Sequence, residues 1–367
     1  MDVNIDPAWE VREDDLEAIA NGAAILGTGG GGNPYLGMLR AREVMRRGGR
    51  LLVIDPDGLP DDALLVASGG MGSPVVSYEK LPQGEEEAEA ARALEEHLGC
   101  RVDVVAPLEM GGGNSMSALV AGATLGVPVL DGDGMGRAFP ELSMVTYLIY
   151  GGVVAPAALA DDHGNCVVVS RAGGPAELER LARALTVEMG AHAGLAMTPM
   201  DGAHARATCV PRTLSFAKRL GEAVADARRE GADPLDALLA VTGGRRLFRG
   251  KVVDVERRTA GGFARGTIRL EAFDADVGGP LEVEFQNENL VVRRGEELLA
   301  VVPDLITLVD AETAEPVTTE LVRFGFRVEV LVIPPSPRLT TPEALRWVGP
   351  RAFGYDVDWT SAASPAG

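Results

Sequence analysis

The sequence predicts an α/β N-terminal domain with a mostly parallel sheet, followed by a β-rich C-terminal domain. Three observations carry this expectation. In the first half, short continuous apolar runs at 50–54, 63–67, 102–106 and 127–130 alternate with helical patterns; such runs are strands covered on both faces. Three of them lead into glycine-rich stretches: Ser68-Gly-Gly-Met-Gly-Ser-Pro74, Leu108-Glu-Met-Gly-Gly-Gly-Asn-Ser115 and Asp131-Gly-Asp-Gly-Met-Gly-Arg137. From about Arg246 the texture changes to alternating strands with turns and few helices. The stretch Ala172-Gly-Gly-Pro175 marks the junction, giving domains at 10–170 and 171–357.

In chain order, residues 13–26 carry a helical apolar face with Leu16, Ile19, Ala20 and Ala23. Thr28-Gly-Gly-Gly-Gly-Asn33 then precedes a helix opened by Pro34, with Asn33 suited to the N-cap. A helix N-terminus favours an anion, so this glycine run reads equally as a ligand loop or as a helix–helix turn. It is not the dinucleotide fingerprint, because a helix precedes it, and no Gly-Lys-Ser/Thr follows to make a phosphate loop. Further helices are expected at 85–98, 114–125, 141–150, 177–189, 213–229 and 233–239, with a hairpin turn at 161–165. The strands expected in the second half lie at 250–255, 266–273, 281–285, 290–293, 299–302, 306–309 and 326–332.

Charge and composition narrow the function. The 367 residues carry 54 acidic against 34 basic side chains, a net charge of −20. A basic surface, needed for nucleic acid or for anionic membranes, is therefore not expected, and no apolar run reaches the length of a membrane span. The three cysteines, Cys100, Cys166 and Cys209, form neither a CxxC pair nor a disulfide framework, which points to the cytoplasm and to buried small side chains. A homo-oligomer is the expectation for a cytoplasmic protein of this size.

In a parallel sheet the carboxyl ends of the strands share one edge, and ligands bind in the crevice outside it. The three glycine-rich stretches would bring Glu109, Asp131, Asp133, Arg137 and Glu141 there. Asp131 and Asp133 are two residues apart and would point the same way on an extended chain. Close carboxylates require a cation or a raised pKa, so a metal site or an acid/base pair is the functional reading. The plain one is that each accepts backbone N–H groups to brace a glycine turn. Arg137 could clamp a carboxylate or pair with Asp133. Gly30, Gly31, Asn33, Ser73, Asn114, Ser115 and Glu141 are the candidate substrate contacts. Among the four histidines, His192 and His204 lie where they could reach the crevice, whereas His97 ends a helix and His163 sits in a turn. Phe285-Gln-Asn-Glu-Asn289 reads equally as a turn or a ligand contact. No HExxH or GxSxG pattern occurs.

Together these motifs resemble the S-methyl thiohydantoin desulfurase family, a hydantoinase-associated group. The resemblance runs over nearly the whole chain, through Leu26-Gly-Thr-Gly-Gly-Gly-Gly-Asn-Pro34, Gly70-Met-Gly-Ser-Pro74, Glu109-Met-Gly-Gly-Gly-Asn114 and Asp131 to Glu141. It continues through Arg212-Thr-Leu-Ser-Phe-Ala217, Gly250-Lys-Val-Val-Asp-Val-Glu-Arg257, Phe285-Gln-Asn-Glu288, Pro303-Asp-Leu-Ile306 and Gly349-Pro-Arg-Ala-Phe-Gly-Tyr-Asp356. It implies a swivelling β/β/α C-terminal domain and a metal-assisted hydrolase that desulfurises a thiohydantoin, a small cyclic amide, to a hydantoin. The alternative is an accessory subunit of a hydantoinase/oxoprolinase-type system that binds a small anion, with a hydantoinase-type partner. The catalytic set would be Glu109, Asp131, Asp133 and Arg137, and the metal ligands Glu109, Asp131, Asp133 and His192. Oxygen ligands favour Mg²⁺ or Mn²⁺, and an added His favours Zn²⁺. Met189-Gly-Ala-His192 departs from the family pattern, where small residues are usual, which makes any metal role of His192 specific to this branch. Thiol is a good leaving group, so the chemistry requires no strong general acid.

Overall fold

The computed structural model describes residues 5–32, 34–72, 76, 83–273 and 279–363. The first half is an α/β unit around an eight-stranded mixed sheet in the order β1-β2-β5-β4-β3-β9-β7-β8. Its strands are β1 (Trp9–Glu10), β2 (Leu52–Ile54), β3 (Leu64–Gly72), β4 (Val104–Pro107), β5 (Val129–Leu130), β7 (Ala157–Ala160), β8 (Cys166–Val169) and β9 (His192–Asp201). The apolar runs form the parallel part, β2-β5-β4-β3, with Val53 beside Val129 and Ala67 beside Ala106. Antiparallel pairing extends it on both sides, through β1 on β2 and through β3-β9-β7-β8. A short ribbon, β6 (Gly132–Asp133) with β10 (Val210–Pro211), stands apart.

Two differences from the sequence expectation matter for the site. Residues 68–72 do not leave the sheet as a loop: β3 continues through Gly72, because β9 supplies an antiparallel partner in which Gly70 faces Gly194 and Gly72 faces His192. The segment 189–208, where the sequence declares no strand, contains β9 and a short helix, α7 (Gly202–Thr208). Pairing with a distant strand is invisible to local periodicity.

The helices follow the sequence reading closely: α1 (Asp15–Leu26), α2 (Pro34–Arg46), α3 (Glu86–Leu98), α4 (Asn114–Leu125), α6 (Pro175–Glu188), α8 (Thr213–Glu230) and α9 (Pro234–Thr242). The helix expected at 141–150 is instead a 3₁₀ turn, Leu142–Met144, and one helical turn, α5 (Thr146–Ile149). A last helix, α10, spans Pro342–Val348.

The β-rich half is one seven-stranded antiparallel sheet in the order β15-β14-β13-β12-β11-β17-β16. It comprises β11 (Arg245–Ala260), β12 (Phe263–Ala272), β13 (Leu281–Gln286), β14 (Glu288–Arg294), β15 (Glu297–Val301), β16 (Leu305–Asp310) and β17 (Arg327–Ile333). The two halves share cores. One buried cluster joins Leu16, Ile19 and Met116 to Leu214, Leu305 and Leu331, and another joins Leu108 and Phe139 to Leu290 and Val302. Cys209 is buried as expected, whereas Cys100 and Cys166 are exposed. Among the described residues, no helix is long and apolar enough to cross a membrane.

Candidate active site

Glu109 follows β4 on the turn into α4, and its carboxyl is buried. Oε1 accepts from Asn114 Nδ2 at 2.6 Å and Oε2 from the Phe139 N–H at 3.2 Å. Asn114, the first residue of α4, is itself held by Gly70: its Oδ1 accepts from the Gly70 N–H at 2.8 Å, and its Nδ2 also donates to the Gly70 carbonyl at 3.1 Å. The prolonged β3 strand therefore positions Glu109 through Asn114.

The other buried carboxyl comes from the second half. β13 and β14 meet in a tight hairpin in which Gln286 pairs with Glu288, leaving Asn287 alone at the tip. Asn287 takes φ +57°, a conformation asparagine tolerates better than most residues. Its Oδ1 accepts the Ala264 N–H at 2.9 Å. The hairpin presents Glu288, which is 2% exposed, to the same cleft as Glu109. Gly30 explains part of the glycine run, since a Cβ there would lie 2.0 Å from Glu288 Oε1. A side chain at position 30 would push Glu288 out of place.

The cleft between the halves is walled by Gly31, Gly32 and Gly70 and by the apolar side chains of Met71, Leu108, Met135, Phe139 and Leu142. Glu109, Asn114, His192, Asn287 and Glu288 supply its interior polar groups, with Glu141 and Arg183 alongside. Its volume is about 80 Å³. One water needs roughly 10–15 Å³ on that measure, so a few waters or a small ring fit and a nucleotide does not.

Burial governs the electrostatics. It pushes the Glu109 carboxyl up to about 8 against the two hydrogen bonds that favour its ionised form. Burial also pushes Glu288 well above the usual carboxyl range, and the charge of Glu109 pushes it further. Glu288 Oε2 is buried with no hydrogen-bond partner. The environments thus differ: Glu109 accepts two donors, and Glu288 has an unsatisfied oxygen suited to carrying a proton.

Several sequence candidates serve the scaffold instead. Asp131 is not a wall of the cleft. Its Oδ1 accepts the Ser215 N–H at 3.0 Å, in the first turn of α8, so it acts as a cap borrowed from another element. Asp131→Ala is expected to lower stability by about 1 kcal/mol in urea unfolding and to leave turnover unchanged.

Asp133 is not a wall of the cleft either. Its Oδ2 accepts N–H groups from Met110 at 2.7 Å, Met135 at 3.0 Å and Gly136 at 2.7 Å, and burial pushes its pKa up to about 7. It braces the glycine turn and ties it to the residue after Glu109. Arg137 clamps neither a ligand nor Asp133. It is fully buried and donates to the carbonyls of Ala138, Asn289, Pro303 and Asp304 and to Thr28 Oγ1. Ser115 donates to the Gly112 carbonyl within its own turn.

Gly31 and Glu141 do line the cleft, and burial raises the pKa of Glu141. Asn33 and Ser73 lie outside the described residues. The carbonyls of Gly32 and Gly31 accept the N–H groups of Gly113 and Asn114, so the glycine run is tied to the start of α4. His204 bonds to the Tyr147 carbonyl through Nε2 at 3.0 Å and does not line the cleft.

These placements bear on the expected metal. Glu109, Asp131, Asp133 and His192 do not gather as a ligand set. Two line the cleft, whereas Asp131 gives Oδ1 and Asp133 gives Oδ2 to backbone N–H groups away from its walls, and among the described residues these four do not bring ligand atoms together. Among the described residues, the one cluster with ligand atoms close enough for an ion is Asp161, Asp162 and His163 in the β7–β8 turn. There Asp161 is already the acceptor of the His163 and Asn165 N–H groups. The proposed ligand set therefore does not fit a metal.

Glu288 is absent from the residues the sequence nominates, although its polar hairpin, Phe285 to Asn289, reads as a turn or a ligand contact; it forms the turn and brings Asn287 and Glu288 to the cleft wall. Arg183 was missed because helical periodicity marks it only as a polar position on α6. Its Nε bonds to Glu179 at 2.8 Å, Nη2 donates to the Pro140 carbonyl at 2.8 Å, and the guanidinium lies 4.5 Å from the Phe263 ring centroid.

Comparison with known proteins gives two family matches. The S-Me-THD-like N-terminal domain matches residues 14–171 and the S-Me-THD-like C-terminal domain residues 174–362. A crystal structure of a protein from Chromobacterium violaceum is similar, with 26% identity and a TM-score of 0.81, over 97% of this chain and 100% of that one. No match was found among curated proteins.

Proposed function

We propose that this chain, which belongs to the S-Me-THD-like family, hydrolyses the carbon–sulfur bond of an S-alkylated thiohydantoin ring, releasing a thiol and leaving a hydantoin. The observation that carries this reading is the pair of buried carboxyls, Glu109 and Glu288, brought from the two halves to one small cleft with unlike surroundings. Carboxyls whose environments differ in this way divide into an acid and a base.

In the step proposed, the ring carbon bearing sulfur is attacked by water, whose proton passes to the Glu109 carboxylate. Protonated Glu288 gives its proton to the ring nitrogen as the C=N bond becomes single. The tetrahedral carbon then returns its hydroxyl proton to Glu288, forming C=O, and the C–S bond breaks with its electron pair on sulfur. Asn114 holds the base in place, and the apolar walls limit competing water. The family association supports a thiohydantoin-type ring, and the cleft volume supports a compact one.

The test is incubation with an S-methyl thiohydantoin in ¹⁸O-water. Thiol release with one ¹⁸O at the ring carbonyl is the expected result, and the absence of turnover overturns the reading. Because the proposed ligand set does not fit a metal, activity is expected to survive dialysis against a chelator.

A further inference from the structure

We propose that His192 is the acid that protonates the departing sulfur, and that Glu87 and Arg40 are the residues that position it. None of the steps above uses His192, yet it lines the same cleft as Glu109 and Glu288. Its place is fixed by β9, where it faces Gly72.

Behind it lies a buried carboxylate. Glu87, in the first turn of α3, is 1% exposed. Arg40 of α2 holds it with two donors, Nη2 to Oε2 at 2.6 Å and Nη1 to Oε1 at 3.4 Å. A Cβ on Gly70 would lie 3.3 Å from His192 Nε2, 3.8 Å from Glu87 Oε1 and 3.1 Å from Asn114 Oδ1, so these three groups cluster around one point of β3. The approach depends on Gly194, where a Cβ would meet the Glu86 carbonyl carbon at 2.3 Å and the Glu87 nitrogen at 2.4 Å. β9 thereby lies directly against the start of α3.

Burial raises the Glu87 pKa, but Arg40 and then His192 outweigh it and bring it down to about 2. A permanent carboxylate beside an imidazole favours the imidazolium. The sequence offers only a weak signal for this arrangement, because Glu85-Glu-Glu87 also reads as the acidic first turn of a helix.

This role rests on the hydrolysis proposed above. As the C–S bond breaks, the imidazolium proton becomes the S–H of the thiol, leaving His192 neutral. The proton that Glu109 took from water then recharges it, and the cycle closes without any other reactant. An aryl thiolate needs this proton little and an alkyl thiolate needs it more.

The test compares S-methyl and S-(4-nitrophenyl) thiohydantoins as substrates of the wild type, His192→Gln and Glu87→Gln. For His192→Gln, kcat is expected to fall at least tenfold more on the S-methyl than on the S-aryl substrate, with KM little changed. Glu87→Gln is expected to show the same selectivity, weaker. Its ¹⁵N spectrum should show the His192 ring resonances displaced from their wild-type positions, because the nearby Glu87 carboxylate is lost, and this readout needs no turnover. Equal losses on both substrates overturn the role of His192 alone. Failure of the wild type to turn over either substrate overturns the hydrolysis reading and this role with it.

Discussion

Glu109→Gln and Glu288→Gln are each expected to lower kcat by about 10²–10⁴-fold while making the protein more resistant to unfolding above neutral pH. The first effect follows from losing the base or the acid. The second follows from the same burial that prepares them. The folded-state pKa of Glu109 is raised from 4.5 to about 8. Between those values the folded protein holds a proton that the unfolded chain releases, so stability falls as pH rises. The contribution is fully present below 4.5 and lost on passing through about 8. Glu288 is shifted in the same direction. A glutamine cannot ionise and escapes this loss. Stability curves at pH 6 and pH 9 should therefore diverge, with each variant gaining on the wild type at the higher pH. A variant that is inactive and less stable at pH 9 would show that the carboxyl supports the scaffold and is not poised for chemistry. The pH dependence of kcat/KM belongs to the pair and not to either residue. Its acidic limb should lie well above the ordinary carboxyl range, because burial raises both members of the pair.

The two carboxyls also mark how far the sequence could be read. α4 and the strands of the second half were legible because each declares itself through local periodicity, capping or alternation. The candidate site was legible only where one turn carries its own polar groups. Glu109 and Asn114 lie five residues apart, on a strand-to-helix turn at the sheet edge. Glu288 lies 179 residues beyond Glu109, and what brings it there is the fit of the β13–β14 hairpin against Gly30, a contact between halves. The cluster of Asp131, Asp133 and Arg137 misled for a physical reason. A glycine-rich turn leaves many backbone N–H and C=O groups without ladder partners, and buried polar groups must be paired. Charged side chains gather there to satisfy the backbone as readily as to bind a ligand, and sequence density alone does not separate the two. The long β3 strand was cut short for the opposite reason: residues 68–72 are glycine-rich and read as a loop, but β9 pairs with them.

Arg137→Met is expected to be the most destabilising single change at the junction of the halves, by about 3–5 kcal/mol, because removing one charge from a buried polar network strands its partners. The guanidinium is fully buried between four carbonyls and the Thr28 hydroxyl, and it lies 4.7 Å from the centroid of the Phe139 ring. Burial lowers its pKa to about 10, so it stays charged at neutral pH. Methionine fills much of the volume but leaves those acceptors without donors, and Glu288 and Asp304 lose the nearby positive charge. Arg137→Lys should rescue only part of the loss, since an ammonium offers three donors from one point and cannot span the five acceptors that a planar fork reaches. Urea unfolding of the three proteins at pH 7 measures the order. Kinetics then separate the roles: if Arg137 organises the junction, the lysine variant should lose stability and activity together. A lysine variant as stable as the wild type but inactive would return Arg137 to the chemistry.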